Sequence, residues 1–252
     1  MNKICVLIQA RTGSSRLPKK IVLPFYNDQS ILLILLNRIK KAIPPEISIV
    51  VATTTSSADD AIVELCKEHN FNFFRGCESD VLNRFITAAE QFDCSAIIRI
   101  CADNLFLDID SLIILIDRFR LCKADYMSFI TSNGNQSIKT HYGLWAEAVL
   151  LKSLKEVQSF TNESIYHEHV TNYIYEHSEI FNTEYIPIDP YIEAHSCLRL
   201  TIDTAIDFEI QKKIYSDLSD KDNFTSYDII KYLEDKPEIY KKMEEIIYFN
   251  KK

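Results

Sequence analysis

The sequence predicts an α/β fold built on a doubly wound sheet, because strand-like and helix-like segments alternate along its first half. Four short apolar runs are typical of strands buried on both faces: 4–8, 47–52, 72–75 and 96–101. Between and after them, apolar residues recur at the i, i+3, i+4, i+7 spacing of amphipathic helices, around 61–66, 82–89 and 112–119. This alternation is typical of sheets covered by helices.

The second half of the chain is less regular. It predicts a loop over 133–140, a strand within 141–151, a helix over 163–176, a short strand over 199–202, a helix over 204–216, and helices near 225–235 and 238–249. No repeat, low-complexity tract or linker separates these segments. We therefore expect a single domain over 1–252, with an embedded subregion from about 133 to 197.

Composition narrows the class of protein. The chain of 252 residues is 47% hydrophobic and 25% charged, as in ordinary globular proteins. Its net charge of −8 argues against a nucleic-acid partner, and its longest apolar run, 31–36, is too short to cross a membrane. Seven scattered cysteines without a Cys-x-x-Cys pair favour a reduced, cytoplasmic protein.

The segment after the first predicted strand concentrates candidate ligand-binding residues. In a doubly wound sheet, ligands bind beyond the carboxyl ends of the strands. The segment 9–20 holds four cations (Arg11, Arg16, Lys19 and Lys20) and one of only four glycines, Gly13. Arginine forks and lysine ammonium groups bind phosphate, and a glycine lets backbone amides turn toward an anion. The sequence therefore predicts a triphosphate site, although neither a Walker A nor a dinucleotide-binding motif is present.

This segment also resembles the opening signature of a known family, Ala-Arg-x-Gly-Ser-x-Arg-Leu-Pro-x-Lys. The family is that of cytidylyltransferases of the spore coat polysaccharide biosynthesis type, related more distantly to 3-deoxy-manno-octulosonate cytidylyltransferase. The resemblance continues in order through 51–55, 74–76, 80–82, 99–104 and 199–204. It implies a Rossmann-like nucleotidyltransferase (nucleotide-sugar transferase) fold with a mostly parallel central sheet flanked by helices. It also implies CTP as substrate, Mg²⁺ as cofactor and, often, a homodimer.

Two aspartates are the candidate metal ligands. Asp103 follows the predicted strand that ends near 102, and Asp203 follows the predicted strand 199–202. Magnesium bound to a nucleotide needs only one or two protein carboxylates, and the family's metal aspartates match these two positions. Asp103 has an alternative role as a turn residue. Asp203 has no obvious structural role, since Thr204 and Asp207 supply a capping box for the next helix.

The resemblance also assigns the remaining site residues. In the reaction it implies, an acceptor oxygen attacks the α-phosphorus of CTP and pyrophosphate leaves. The expected catalytic cations are Arg11, Arg16 and Lys20. The expected nucleotide-binding residues are Gln9, Ala10, Arg11, Thr12, Gly13, Ser14, Lys20, Ala52, Thr53, Asp80, Arg84, Ala102 and Asp103. No residue pattern identifies the base independently of the resemblance.

Departures from the family pattern fall on acceptor-side positions. Lys19 replaces the usual glycine, Asn104 is not followed by the usual proline, and 141–147 differs from the relatives' sequence. The expected acceptor-binding residues are Lys19, Asn104, Tyr142, Trp145, Glu147 and His167, although Trp145 could equally be a core residue. His167 and His169 lie two residues apart, which does not place them on one helix face as metal ligands.

The extra cation at Lys19 favours a phosphorylated acceptor, such as a phosphosugar or a phospho-amino acid like phosphoglutamine, giving a CDP conjugate for capsule or surface polysaccharide. Two alternatives stay open: a CMP-sugar synthetase acting on a nulosonate hydroxyl, and a non-catalytic nucleotide-binding homologue.

Overall fold

The computed structural model describes residues 3–219 and 224–249, and its centre is a sheet of seven strands. Two further short strands form a separate hairpin. The strands of the described residues are β1 (Ile4–Gln9), β2 (Pro24–Tyr26), β3 (Gln29–Ser30), β4 (Ser48–Thr54), β5 (Asn72–Gly76), β6 (Ala96–Cys101), β7 (Tyr126–Ile130), β8 (Glu147–Leu150) and β9 (Thr183–Pro187).

The sheet is mostly parallel, in the order β5-β4-β1-β6-β8-β7-β9. β1 lies at its centre and pairs in parallel with both β4 and β6, whereas β8 runs antiparallel to β6 and β7. The chain first moves outward from β1 through β4 to β5, and then returns to β6 on the other side of β1. This change of direction makes the crevice at the carboxyl ends of β1 and β6 the topological switch point, where ligands bind in such sheets.

Helices cover both faces of the sheet. They are α1 (Ile31–Ala42), α2 (Asp60–Glu68), α3 (Val81–Gln91), α4 (Ile109–Leu121), α5 (Leu151–Phe160), α6 (Ser164–Glu168), α7 (Asn172–Glu176), α8 (Pro190–Glu193), α9 (Ala205–Leu218), α10 (Ser226–Glu234) and α11 (Pro237–Phe249). Alternate β1 side chains point to opposite faces, so one apolar cluster joins the sheet to α1, α2, α4 and α9–α11, and the other joins it to α3, α5 and α7. The predicted fold class is confirmed.

The structure corrects the predicted elements of the second half. The strand expected within 141–151 is only β8, because α5 begins at Leu151. The helix expected over 163–176 is broken into α6 and α7. The segment 199–202 forms no sheet strand, and the amide of Leu200 bonds the carbonyl of His141 instead. The subregion 133–197 contributes β8 and β9 to the main sheet.

Polar side chains cap the starts of several helices. Thr204 with Asp207 forms the capping box of α9 that the sequence predicts, and Asp108 caps α4. Ser57 is of a type that favours N-caps, but it is Ser56 that accepts the capping bond at 57–59, a short 3₁₀ helix. Ile206 lies at helical spacing from Ile210 and Ile214 but is 57% exposed.

Two glycines have a positive φ and differ in the space around them. Gly143, with φ 65°, lies against the backbone of Leu200 and Thr201, so that a Cβ would lie 3.0 Å from both. Gly134, with φ 86°, has no atom within 4 Å of the corresponding position. Gly143 therefore allows the acceptor-side segment to pack directly on the chain that leads to Asp203.

We expect Gly143→Ala to lower the free energy of unfolding by about 2–4 kcal/mol, because it adds a backbone clash to the strain of a positive φ. Gly134→Ala is the matched control and should cost only the strain, about 1–2 kcal/mol. Urea unfolding of both variants measures the difference. Equal losses would show that the close contact at Gly143 contributes nothing.

Candidate active site

Asp59, a residue that the sequence patterns did not single out, ties the opening loop after β1 to the end of β4. One oxygen of Asp59 accepts from the backbone amide and the hydroxyl of Thr12, both at 2.7 Å. The other oxygen accepts from the hydroxyl and the amide of Thr54. Burial alone would raise the pKa of the Asp59 carboxyl, but these four bonds lower it below its usual value. The loop is thus fixed by a buried carboxylate.

Two of the four cations predicted from sequence, Lys20 and Arg16, meet the predicted carboxylates at the switch point, whereas Arg11 lies beside Glu168 of α6. The ammonium of Lys20 lies 2.7 Å from Asp103 Oδ2 and 3.8 Å from Asp203 Oδ1, and it also donates to the carbonyl of Ile202. Arg16 reaches Asp203 Oδ1 at 3.1 Å. The opening loop, the end of β6 and the chain before α9 therefore meet at one point, although they are far apart in sequence.

Asp203 is held in place by a buried arginine that the sequence analysis did not single out. Arg199 is 1% exposed and donates to Asp203 Oδ2 at 3.0 Å, to both oxygens of Asp207 and to His141 Nδ1. Burial alone would lower the pKa of Arg199, but the bonds and charges of Asp207 and Asp203 raise it. Arg199 occupies Oδ2 of Asp203 and leaves Oδ1 directed at Lys20 and Arg16. A charged residue inside the apolar run 198–202 was the signal for this pairing.

A second buried pair lies beneath the end of β1. Arg99 of β6 pairs with Glu147 of β8, which also accepts from Tyr126 and from Thr171 at 3.0 Å. Arg99 Nε and Nη2 both donate to Gln9 Oε1, at 3.3 and 3.0 Å. Because a guanidinium only donates, the Gln9 amide is oriented with its oxygen inward and its NH₂ group away from Arg99.

The rest of the opening loop forms a tight turn. Ala10 extends the β1–β4 ladder by a bond from its amide to Ala52, and Gly13 is exposed beside Glu78. The amides of Ser14 and Lys19 both donate to the Thr12 carbonyl at 2.9 Å. Lys19 has φ 62°, the left-handed conformation that a glycine would adopt without strain.

The loop after β4 begins two residues later than expected, since the predicted strand ended at 52. β4 continues to Thr54, so Ala52 and Thr53 are strand residues with fully buried side chains, and neither offers a surface to a base. The predicted contact of Ala52 and Thr53 with the nucleotide stays a prediction. Ala102 is also buried and extends the ladder to Gln9, which leaves Asp103 as the first outward side chain after β6.

Asp80 and Arg84 lie at the start of α3. Asp80 caps the helix by accepting from the amide of Asn83 and pairs with His167 Nδ1 at 2.9 Å. Arg84 is fully buried and donates through Nη1 to the carbonyl of Cys77. Burial and the nearby charge of Arg11 lower the pKa of Arg84.

The acceptor-side predictions divide into buried and accessible residues. Glu147 is 3% exposed and committed to Arg99, while Trp145 stacks on Phe129 and contacts Tyr142 edge-on. Burial raises the pKa of Tyr142 to about 12. Glu147, Trp145 and Tyr142 are therefore packed in the core, and their contact with an acceptor stays a prediction.

Lys19 is exposed, whereas Asn104 is 9% exposed, within the turn that follows β6. His167 lies between Asp80 and the carbonyl of Thr161, at 2.9 and 3.1 Å. Burial alone would lower the pKa of His167, but these two acceptors raise it. The neighbouring Glu168 lies 3.8 Å from Arg11, so α6 borders the opening loop.

The site contains two carboxylates that suit a nucleotide-bound divalent cation. Among the described residues, no three histidine, cysteine, aspartate or glutamate side chains cluster as a closed metal site. Asp103 and Asp203 nevertheless direct one oxygen each at the same ammonium group, and both keep some exposure. Two hard oxygen ligands on one open side fit Mg²⁺, which takes its other ligands from water and phosphate.

Cations and two carboxylates at the switch point of a mostly parallel, helix-covered sheet are typical of an α/β protein of the nucleotidyltransferase type. The chain belongs to the cytidylyltransferase family, whose model matches residues 5–251.

Three similar proteins support this assignment. The Methanocaldococcus jannaschii protein MJ1063 is 37% identical over 243 residues, covering 94% of this chain and 93% of that protein. The spore coat polysaccharide biosynthesis protein SpsF of Bacillus subtilis is 30% identical over 244 residues, covering 94% and 97%. The solved structure of a cytidylyltransferase from Leptospira borgpetersenii has a TM-score of 0.83 and 30% identity, covering 95% of this chain and 97% of that one. No helix within 3–219 or 224–249 has the length and apolar character that crossing a bilayer requires.

We expect Asp59→Asn to lower the free energy of unfolding at pH 7 by about 2–3 kcal/mol, since an amide cannot replace both acceptor oxygens of a buried carboxylate. The native pKa of Asp59 is depressed, so its contribution is present above the unfolded pKa of about 4 and is lost as the pH falls through the native value. Urea unfolding of both proteins from pH 7 downward tests this. The difference should shrink below about pH 4, and a pH-independent difference would contradict the clamp.

Proposed function

We propose that the chain is a Mg²⁺-dependent enzyme that transfers CMP from CTP to a small acceptor and releases pyrophosphate. The observation that carries this proposal is the meeting of Lys20 with Asp103 and Asp203 at the switch point. A non-catalytic homologue would have no need to hold two carboxylates around one cation beside a phosphate-binding loop. A cytidylyltransferase requires that arrangement.

The residues of the site have two roles: some bind phosphate, and others hold the phosphate-binding residues in position. Arg11, Arg16 and Lys20 bind the β- and γ-phosphates and offset the charge that develops on the leaving pyrophosphate. Asp59 fixes the loop that carries these cations, so that they need little reorganisation during transfer. Most of the rate enhancement would come from this alignment, because catalysis of phosphoryl transfer depends mainly on positioning and electrostatic stabilisation.

Asp103 and Asp203 would hold Mg²⁺, which supplies Lewis-acid activation of the α-phosphate and of the acceptor oxygen. Arg199 keeps Asp203 oriented by occupying its second oxygen. Lys20 is free to move to the phosphates once another cation neutralises the aspartates.

We propose a phosphorylated acceptor, and hence a CDP conjugate as product. Lys19 is an exposed cation next to Lys20 in a conformation that glycine would adopt more easily. Retention of a strained lysine is reasonable if its ammonium binds a second anionic group. The relation to a spore coat polysaccharide protein supports a role in capsule or surface polysaccharide synthesis.

We also propose a cytoplasmic homodimer that pairs through the subregion 133–197. The described cysteines are all free thiols, which suits a reducing compartment. Phe160, Ile165 and Ile180 expose about half of their surface within or beside α5–α7. Light scattering of the purified protein and of an Ile165→Asp variant tests the dimer, which the variant should weaken.

We expect Asp103→Asn and Lys20→Ala to lower kcat by about 10²–10³-fold while leaving the fold intact, since each removes one charge that stabilises the transition state. Steady-state pyrophosphate release measures the effect, and circular dichroism checks the fold. Lys213→Ala is the control, because Lys213 lies on the exposed face of α9, where it pairs with Asp217. Activity like the wild type in either site variant would refute the assignment.

The substrate is tested by a pyrophosphate-release screen of ATP, GTP, CTP and UTP with MgCl₂ against two acceptor groups. One group holds phosphosugars and phospho-amino acids, including phosphoglutamine, and the other holds unphosphorylated nulosonates. We expect release with CTP and a phosphorylated acceptor, and the Asp103→Asn protein serves as the blank. Release with unphosphorylated sugar acids alone would reverse the acceptor proposal, and no release with CTP would reject the activity.

A further inference from the structure

Two thiols lie in contact at the end of the sheet opposite the crevice. Cys5 is the second residue of β1, and Cys94 comes two residues before β6 begins. Both belong to the same apolar cluster, and their thiols are hydrogen-bonded to each other. The backbone holds this contact, because β1 and β6 pair directly and the amides of Ser95 and Ala96 both donate to the carbonyl of Lys3. The fold therefore places side by side two sulfur atoms that are far apart in sequence.

The two thiols differ in their access to solvent. The Cys5 side chain is fully buried, whereas Cys94 is 4% exposed and lines a cavity of about 530 Å³. Lys3, Lys152 and Lys155 line the same cavity, and about half or more of each of these side chains is exposed. The cavity therefore opens to solvent, and a small solute reaches Cys94 before it reaches Cys5.

The surroundings make Cys94 the more nucleophilic of the two thiols. The hydrogen bond from Cys5 lowers the pKa of the Cys94 thiol, burial and Asp93 oppose this, and the positive charge of Lys3 adds to the lowering. Contact with Cys94 and burial instead raise the pKa of the Cys5 thiol. Because the thiolate is the nucleophile in thiol chemistry, Cys94 reacts first and Cys5 stays protonated beside it.

This combination is typical of a redox-active pair. Thiols that are oxidised selectively are accessible, have a lowered pKa and lie next to a second thiol that resolves the first oxidation product. Cys94 has the access and the lowered pKa, and Cys5 is the neighbouring thiol. Both are free thiols in the described structure, as expected of the resting state of a pair that forms a disulfide transiently.

We propose that Cys94 and Cys5 are a modification site for hydroperoxides, with Cys94 as the attacking thiol and Cys5 as the resolving thiol. With hydrogen peroxide, the Cys94 sulfur attacks one oxygen, the O–O bond breaks, and a sulfenic acid and water form. The Cys5 sulfur then attacks the sulfenic sulfur, the S–O bond breaks, and a second water leaves with the Cys5 proton. The two electrons that the thiols lose reduce the peroxide, and a small thiol such as glutathione restores the pair by exchange.

The disulfide would protect the protein rather than alter the proposed transfer reaction. It keeps Cys94 from the irreversible sulfinic acid, and it joins β1 to the segment before β6, which restricts the unfolded chain. Because Cys5 and Gln9 lie at opposite ends of β1, the cations and carboxylates of the crevice would stay in place. The tests below therefore need no nucleotide, and their results are independent of the proposed function.

The first test uses the wild-type protein, reduced, desalted and then treated with hydrogen peroxide. Tryptic peptides 4–11 and 85–99 contain Cys5 and Cys94 as their only cysteines, so mass spectrometry without reductant detects the link directly. We expect the two peptides to be joined, lighter than their sum by the two thiol hydrogens, and released by dithiothreitol. Exposed Cys77, on peptide 76–84, reports that the peroxide was sufficient, and buried Cys66 reports that the protein stayed folded.

The second test assigns the two roles with alanine variants, whose fold circular dichroism checks. In Cys5→Ala, Cys94 has no resolving thiol, so dimedone should trap its sulfenic acid, and higher peroxide should convert it to sulfinic acid. In Cys94→Ala, Cys5 should stay reduced, because it is fully buried and protonated. Cys66→Ala is the matched control at another buried cysteine and should keep the link between peptides 4–11 and 85–99.

Three results would overturn the inference. Oxidation of Cys77 while peptides 4–11 and 85–99 stay reduced would show that the pair is inert. A link that appears only together with oxidation of Cys66 would come from unfolded chains. Oxidation of Cys5 in Cys94→Ala at the wild-type rate would show that Cys5 is attacked directly. Because the first test changes no residue, its result holds even if a variant fails to fold.

Discussion

The site depends on the cation that keeps two aspartates together. Asp103 and Asp203 are a hundred residues apart in sequence, yet both lie within 4 Å of the Lys20 ammonium. Two carboxylates this close in space repel each other unless a cation lies between them. The ammonium of Lys20 does this in the described structure, with Arg16 adding a second positive charge on Asp203. The position of Lys20 in turn depends on the opening loop, which Asp59 fixes to the end of β4. Removing any one of these contacts would leave the others without the partner that orients them.

Buried arginines form the supporting layer beneath this surface. Arg199 orients Asp203, Arg99 orients the amide of Gln9, and each is itself held by a buried carboxylate. Their pKa values lie above the usual arginine value, since the acidic partners outweigh the effect of burial. Such pairs are costly to assemble, and breaking one is more costly still. Through these pairs, packing in the core fixes the direction of the Asp203 carboxylate and of the Gln9 amide.

Sequence patterns predicted the first half of the fold well because its strands are buried on both faces and its helices have one apolar stripe. Strands β1, β5 and β6 lie within a residue of their expected bounds. The second half was harder to predict because short elements there depend on tertiary contacts. The segment 199–202 has the composition of a strand, yet it is held by His141 and by the charges of Arg199 rather than by a ladder. Local propensity could not reveal this.

For the site, residue type and position along the chain were enough to bring Lys20, Asp103 and Asp203 together, although the strand expected before Asp203 is absent from the sheet. They were not enough for Asp59 or Arg199, whose importance lies in which groups they bond. The acceptor side shows the same limit. Trp145 and Glu147 had the chemistry of binding residues, but aromatic stacking and the pair with Arg99 use that chemistry inside the core.

This difference between the two sides of the site has a physical reason. Binding a triphosphate demands a fixed set of cations and carboxylates at the strand ends, so the residues that meet this demand are recognisable from their types alone. An acceptor is bound by whatever polar groups the neighbouring segments leave accessible. On this side the accessible polar groups include the ammonium of Lys19 and the edge formed by α6, where Glu168 lies near Arg11 and His167 contacts Asp80. Because α6 contacts both the opening loop and the start of α3, a substitution in this short helix would disturb the contacts of both segments.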